Sequence, residues 1–249
     1  MNIHIAKSAA ELGKLAGSTA ARIIRQAIEH HGQANIILAT GASQFETIYQ
    51  LISEEIDWSK VVMFHLDEYI GLSSDNPASF RKYLRERFLS KVSPLKEVFL
   101  IDGEIDAALE CDRLEEAIAN HPIDVALVGI GENGHLAFND PPADFDTAKP
   151  YIIVDLDEDC RKQQLGEGWF GSLEEVPRKA ISMSIKQILM AKHIVCSVPD
   201  SRKAAAVQRC FGGSVSNLYP ASILTEHPQC ECFLDTFSAA LLTGNSQHA

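Results

Sequence analysis

The sequence has few of the features that would place the protein in a membrane, outside the cell or on a nucleic acid. No window approaches the roughly 18 to 20 uninterrupted apolar residues that a membrane helix needs. The first five residues lack a basic segment followed by an apolar stretch. The 22 basic residues against 34 acidic ones give a net charge of −12, and no basic run is present. We therefore expect a cytoplasmic protein that binds neither membranes nor nucleic acid.

The six cysteines are scattered, and only Cys230 and Cys232 lie close together. No second Cys or His pair completes a zinc-type set, so we expect reduced thiols and no bound metal. An anionic metabolite is compatible with the negative net charge, because local backbone amides and one or two cations suffice to bind a phosphate.

Short apolar runs rich in β-branched residues alternate with stretches that suit helices. This alternation predicts an α/β fold with a single doubly wound, mostly parallel sheet flanked by helices. The predicted strands are residues 35–40, 61–66, 98–101, 125–130, 151–154, 180–184 and 194–198. A capping box at Ser8 opens the first helix, and the other predicted helices are residues 45–53, 78–88, 105–120, 185–190 and 201–210.

No internal repeat or Pro/Ser-rich linker interrupts the chain, so we expect one domain over residues 1–243 and a flexible tail over residues 244–249. In doubly wound sheets, ligands bind at the carboxyl ends of the strands. The residues that follow the predicted strands are therefore the first candidates for a functional site.

A turn of small residues follows the first predicted strand. Glycine lets the backbone approach an anion, the next helix offers unpaired N–H groups, and hydroxyls add donors. The turn comprises Thr40, Gly41, Ala42 and Ser43. Small residues also fill such turns for packing reasons alone, so a phosphate site and a purely structural turn both stay open.

Lys203 lies in the first turn of a predicted helix, where a cation is unfavourable because of the helix dipole. Its side chain either binds an anion or is solvated.

The strand over residues 61–66 ends on Asp67, Glu68 and Tyr69. The two carboxylates should point to opposite faces. If Asp67 points into the cleft it is a candidate general base, and the alternative is a helix cap or a solvated loop acid.

Residues 129–142 form the densest candidate segment, with the sequence G-I-G-E-N-G-H-L-A-F-N-D-P-P. It contains the G-x-G-x-x-G pattern, but Pro141 and Pro142 leave too little chain for the helix that a dinucleotide site needs, so we expect no nicotinamide cofactor. We interpret it as an active-site loop that brings Asn133, His135 and Asp140 together. A histidine beside a carboxylate suits proton transfer between sugar oxygens, although a structural role for His135 is the alternative.

At these motifs the sequence resembles the glucosamine-6-phosphate deaminase family, within the broader group that also holds the 6-phosphogluconolactonases. The resemblance covers nearly the whole chain and rests on residues 66–72, on residues 129–135 with 138–141, and on a late block from 201 to 228. It implies a Rossmann-like fold. It also implies conversion of glucosamine 6-phosphate and water to fructose 6-phosphate and ammonia, by ring opening, aldose–ketose isomerisation and imine hydrolysis, without a metal or other cofactor.

The resemblance implies a role for each candidate residue. Asp67 is the base that moves a proton between C2 and C1, and His135 opens the sugar ring. Asn133 and Asp140 support that histidine, although the family has Glu where this chain has the shorter Asp140.

The phosphate site implied by the resemblance comprises Thr40, Gly41, Ala42, Ser43 and Lys203. The family commonly adds an arginine before a Val–Pro pair, but residues 164–170 contain none. Arg161 is the nearest candidate replacement, and this departure suggests a divergent subgroup.

Three other functions stay open at this point. The first is a 6-phosphogluconolactonase, which the D-E-Y and F-N-D-P segments disfavour. The second is an isomerase/deaminase of another amino-sugar phosphate such as galactosamine 6-phosphate. The third is a sugar-phosphate sensor without catalysis. A homo-oligomer also stays open.

Overall fold

The computed structural model describes residues 1–242, so the predicted tail at 244–249 lies outside the described residues. Within the described range the chain forms ten strands and seven α-helices. The strands are Asn2–Ala6 (β1), Ala34–Leu38 (β2), Val61–His65 (β3), Asp67–Tyr69 (β4), Glu97–Phe99 (β5), Val125–Val128 (β6), Tyr151–Asp155 (β7), Lys179–Met183 (β8), His193–Val198 (β9) and Cys230–Asp235 (β10). The helices are Ala9–His31 (α1), Phe45–Ser53 (α2), Phe80–Leu84 (α3), Ala107–Ala119 (α4), Glu158–Gly166 (α5), Ile185–Leu189 (α6) and Ala204–Phe211 (α7).

Seven strands form the central sheet in the order β1-β10-β9-β6-β2-β3-β5, and every pairing in it is parallel. All residues of β2, β3 and β6 are buried, because helices cover both faces of the sheet. Continuous apolar strands of this kind are typical of a parallel sheet inside an α/β protein. The predicted doubly wound, mostly parallel sheet flanked by helices is confirmed.

The local signals at the first helix act as the sequence predicts. The Ser8 side chain accepts a hydrogen bond from the Glu11 backbone N–H at 3.2 Å, and α1 ends at Gly32, which has φ +76°. The apolar face of α1 packs on the central sheet and on α2. No helix within residues 1–242 is long and apolar enough to cross a membrane.

A second, smaller sheet has the order β4-β8-β7 and is antiparallel throughout. The predicted strands at 151–154 and 180–184 belong to this sheet and do not extend the central one. The reason is visible in β7, whose residues alternate between buried and more exposed positions, as in a sheet covered on one face. This sheet fixes the start of β4, because Asp67 lies opposite Ser182 of β8.

The order of the central strands determines where a ligand can bind. From β2 the chain moves outward through β3 to β5, and it then returns to place β6 on the other side of β2. The direction of winding therefore reverses between β2 and β6. A crevice opens at such a reversal, beside the carboxyl ends of the strands.

Candidate active site

A cleft lies at the carboxyl ends of β2, β3, β6 and β9. Its empty volume, including the part open to solvent, is about 520 Å³. The predicted site residues that line it are Thr40, Gly41, Ser43, Asp67, His135 and Lys203. Segments far apart in the sequence therefore meet at one edge of the sheet.

The turn after β2 runs from the strand end directly into a helix. Gly41 has φ +93°, a conformation that favours glycine, and a one-turn 3-10 helix then leads into α2. Buried Gln44 holds the turn in place, since its amide donates to Ser43 Oγ at 3.1 Å and to the Ser197 carbonyl at 3.3 Å. Ala42 lies outside the lining of the cleft and faces a neighbouring surface pocket.

Lys203 reaches the same end of the cleft. Its residue is only 5% exposed, and within residues 1–242 its ammonium group makes no hydrogen bond or ion pair. Burial lowers the pKa of the ammonium, and the carboxylates of Glu167 and Glu132 oppose that shift. A buried cation without a partner, beside a turn rich in N–H and O–H donors, can bind a phosphate.

Asp67 and Glu68 point into different surroundings, as the alternation of a strand predicts. Glu68 is fully buried and accepts hydrogen bonds from Ser79 Oγ at 2.9 Å and from the Arg81 backbone N–H at 2.8 Å. The Asp67 carboxyl faces the cleft and makes no hydrogen bond to the described part of the chain. Burial, and then the charge of Glu68, raise the pKa of Asp67 to about 8. Asp67 is therefore neither a helix cap nor a solvated acid.

The loop after β6 brings His135, Asp140 and Asn133 together. His135 Nδ1 lies 3.0 Å from Asp140 Oδ1, and Asn133 Nδ2 donates to the same carboxylate oxygen at 3.0 Å. The backbone N–H of Asp157 donates to the other oxygen of Asp140 at 3.0 Å. Burial opposes ionisation of Asp140, but the hydrogen bond and charge of His135 hold its pKa below the ordinary value. The shorter aspartate arm therefore reaches the histidine.

Gly131 of this loop makes room for the histidine. A Cβ on Gly131 would lie 2.3 Å from His135 Nε2, so only glycine lets the imidazole pack on this stretch of backbone. The chain from residue 129 to residue 150 contains no helix. The prediction that the helix of a dinucleotide site is missing is correct.

Helix α5 contributes cleft residues that the sequence analysis missed. Gln163 and Gln164 of α5 line the cleft, and so does Glu167 directly after the helix. A local signal for this helix exists, because Asp157 caps it through the Cys160 N–H at 2.6 Å and two acids follow in the first turn. The sequence pattern does not show that the helix lies over the cleft.

Arg161 does not replace the missing arginine. Its guanidinium donates to the Val176 carbonyl at 3.1 Å and to the Leu173 carbonyl, and therefore anchors the segment that follows α5. No arginine is among the residues of the described chain that line the cleft. Glu167 lies there instead, with one carboxylate oxygen 3.8 Å from the place that a Cβ on Gly41 would take.

One group of side chains within the described range has the spacing of metal ligands. His135, Asp140 and Cys160 offer atoms that lie within 4.8 Å of one another. In this structure, His135 Nδ1 is hydrogen-bonded to Asp140.

Known proteins of similar sequence share this architecture. A model of the family described as glucosamine-6-phosphate isomerases/6-phosphogluconolactonase matches residues 7–232. A glucosamine-6-phosphate deaminase of Listeria monocytogenes serotype 4a is 39% identical over 234 residues, which cover 92% of this chain and 97% of that protein. Another from Lactobacillus delbrueckii subsp. bulgaricus is 36% identical over 243 residues, covering 97% of this chain and 100% of that protein.

Solved structures agree with these sequence matches. A monomeric glucosamine-6-phosphate deaminase is 32% identical and superposes with a TM-score of 0.88, covering 97% of this chain and 100% of that chain. A 6-phosphogluconolactonase from Trypanosoma brucei is 18% identical, with a TM-score of 0.79 over 97% of this chain and 98% of that one, and shares the fold. The chain therefore belongs to the family of glucosamine-6-phosphate isomerases and 6-phosphogluconolactonases.

Proposed function

We propose that the protein is a glucosamine-6-phosphate deaminase, which converts glucosamine 6-phosphate and water to fructose 6-phosphate and ammonia. The observation that carries this proposal is the Asp67 carboxyl, which is unpartnered within residues 1–242 and has its pKa raised to about 8 in the cleft that also holds His135 and Lys203. The deaminase names of relatives that match over nearly the whole chain support the same function.

The phosphate end of the cleft sets the orientation of the substrate. The turn from Thr40 to Ser43 offers N–H and hydroxyl donors, and Lys203 supplies the positive charge. A phosphate held there directs the sugar carbons towards Asp67 and His135. This anchoring lets the two proton-transfer groups act on fixed atoms of the substrate.

His135 opens the pyranose ring. Nδ1 of His135 is hydrogen-bonded to Asp140, so Nε2 is the ring nitrogen available to the substrate. Nε2 accepts the proton of the C1 hydroxyl and returns a proton to the ring oxygen as the C1–O5 bond breaks. The carboxylate of Asp140 stabilises the imidazolium that forms between these two transfers.

Asp67 then works on the open-chain aldehyde. It removes the proton from C2 to give an enolamine and delivers it to C1 to give a ketimine, which water hydrolyses to fructose 6-phosphate and ammonia. A carboxyl with a pKa near 8 is a stronger base than an ordinary aspartate, and it also holds the proton between the two steps. The proposed route uses no redox cofactor.

The proposal includes a cytoplasmic location, which the six free cysteines support.

The test measures ammonia released from glucosamine 6-phosphate, with galactosamine 6-phosphate and 6-phosphogluconolactone hydrolysis assayed in parallel. We expect ammonia release that Asp67→Asn lowers by about 10² to 10⁴-fold. Asp146→Asn, on an exposed loop, is the matched control and should keep full turnover. Lactone hydrolysis without ammonia release would replace the proposal with the lactonase function. Thermal stabilisation by the sugar phosphate without any turnover would favour a sensor.

A further inference from the structure

The Gln164 amide NH₂ is a third polar group in the active-site cleft, after the Asp67 carboxyl and the Lys203 ammonium, that makes no hydrogen bond within residues 1–242. Gln164 lies on the buried side of α5, is only 5% exposed and lines the same cleft as Asp67. The motifs that carry the proposed function do not include it. A buried side-chain amide needs hydrogen-bond partners for both its carbonyl oxygen and its NH₂ group. The partners of these two groups therefore indicate the role of Gln164.

Tyr69 fixes the orientation of this amide. The Tyr69 hydroxyl lies 2.8 Å from Gln164 Oε1 and makes no other hydrogen bond within the described residues. Burial raises the pKa of Tyr69 well above its usual value, so the hydroxyl keeps its proton and must donate it. The available acceptor is Gln164 Oε1, which leaves the amide NH₂ group without a partner in residues 1–242.

The tyrosine itself is held rigidly. Its ring packs at centroid distances of 5.0 Å from Phe80, 5.2 Å from Phe138 and 5.6 Å from Phe170. Tyr69 lies two positions after Asp67 on β4, and residues two apart on a strand share a face. The Gln164 amide is thereby anchored on the side of β4 from which the Asp67 carboxyl enters the cleft.

The neighbouring glutamine provides an internal contrast. Gln163 also lines the cleft, but its Oε1 accepts from the Glu132 backbone N–H at 2.7 Å and its Nε2 donates to Glu167 at 3.0 Å. Both ends of that amide are therefore used within the protein. Of these two adjacent glutamines, only Gln164 has an NH₂ group that makes no hydrogen bond within residues 1–242.

We propose that Gln164 is a substrate-binding and specificity-determining residue, whose amide Nε2 donates a hydrogen bond to a C3 or C4 hydroxyl oxygen of the sugar beside Asp67. This inference rests on the proposed function. A neutral donor suits this position, because a cation so near Asp67 would lower the pKa of that carboxyl and weaken it as a base. An amide recognises a hydroxyl and leaves the base unchanged.

The experiment compares wild type and Gln164→Leu on glucosamine 6-phosphate and on its 3-deoxy and 4-deoxy analogues, by kcat/KM for ammonia release. We expect wild type to lose about tenfold on the analogue that lacks the contacted hydroxyl. The kcat/KM of Gln164→Leu for glucosamine 6-phosphate should be about tenfold lower than that of wild type. Its kcat/KM for that analogue should be no lower than its kcat/KM for glucosamine 6-phosphate. Gln163→Leu is the matched control, and its discrimination among the analogues should equal that of wild type.

Gln164→Glu covers the case in which Gln164→Leu does not fold, since it keeps the acceptor for Tyr69 and removes the NH₂ donor. If wild type releases ammonia from glucosamine 6-phosphate, the Gln164 variant should discriminate less than wild type against one of the two deoxy analogues. If the variant discriminates against both analogues as strongly as wild type does, this inference is overturned and the proposed function is not. Absence of ammonia release by the wild-type protein from any amino-sugar phosphate overturns the proposed function, and this inference with it.

Discussion

Asp67 should make the protein less stable as the pH rises, and replacing it with Asn should abolish that dependence. Its pKa is about 8 in the folded protein against an ordinary value of 3.8, mainly because of burial. The folded state therefore binds this proton more tightly than the unfolded chain does. The stabilisation is complete below about pH 4 and is lost progressively as the pH rises through about 8. Asn at this position cannot ionise and has no such dependence.

The size of the effect follows from the two pKa values. One pKa unit corresponds to about 1.36 kcal/mol, and up to the folded-state pKa of about 8 unfolding releases the Asp67 proton. The free energy of unfolding therefore falls by about 3 kcal/mol between about pH 6 and about pH 9. That is a large fraction of the roughly 5 to 15 kcal/mol by which proteins are stable. The uncompensated carboxyl that suits proton transfer therefore destabilises the fold at alkaline pH.

Urea unfolding of wild type and Asp67→Asn at about pH 6 and about pH 9 measures this directly. We expect the stability advantage of Asp67→Asn over wild type to grow by about 3 kcal/mol across this range. Asp146→Asn, on an exposed loop, should show no comparable change and serves as the control. An advantage that is equal at the two pH values would refute the argument that burial sets the pKa of Asp67.

Three further outcomes follow from the same cleft. Lys203→Ala should raise the KM for glucosamine 6-phosphate roughly 10- to 100-fold, because it removes a charged partner of the phosphate; an unchanged KM would place the phosphate elsewhere. Glu167→Gln should tighten binding of inorganic phosphate about 3- to 10-fold in a thermal-shift titration, since it removes a negative charge beside Gly41; weaker binding would show that the carboxylate assists the anion. Asp140→Asn should lower kcat for ammonia release about 100-fold, because His135 loses the carboxylate that holds its tautomer, and a kcat close to that of wild type would remove Asp140 from the reaction.

Short-range order along the chain explains what could be predicted without a structure. His135 and Asp140 are five positions apart in one loop, in which Pro141 and Pro142 exclude a helix. The contact between His135 and Asp140 therefore follows from their positions in the sequence. The turn from Thr40 to Ser43 follows a continuous apolar strand, and the position of such strands determines the edge at which a ligand binds. The apolar pattern also gives the α/β class, because it encodes burial on both faces of a parallel sheet.

Contacts between distant segments determine the features of the cleft that could not be predicted from the sequence. The direction of the Asp67 carboxyl depends on its pairing with Ser182 of β8, and its high pKa depends on the burial that this pairing produces. Gln164 is 95 positions from Tyr69, and no local pattern relates an amide on α5 to a phenol on β4. The sequence by itself therefore determined which residues we propose for the proton-transfer chemistry. Only the tertiary structure decided which side chains enter the cleft without a partner, because burial and hydrogen-bond satisfaction are set by contacts between distant segments.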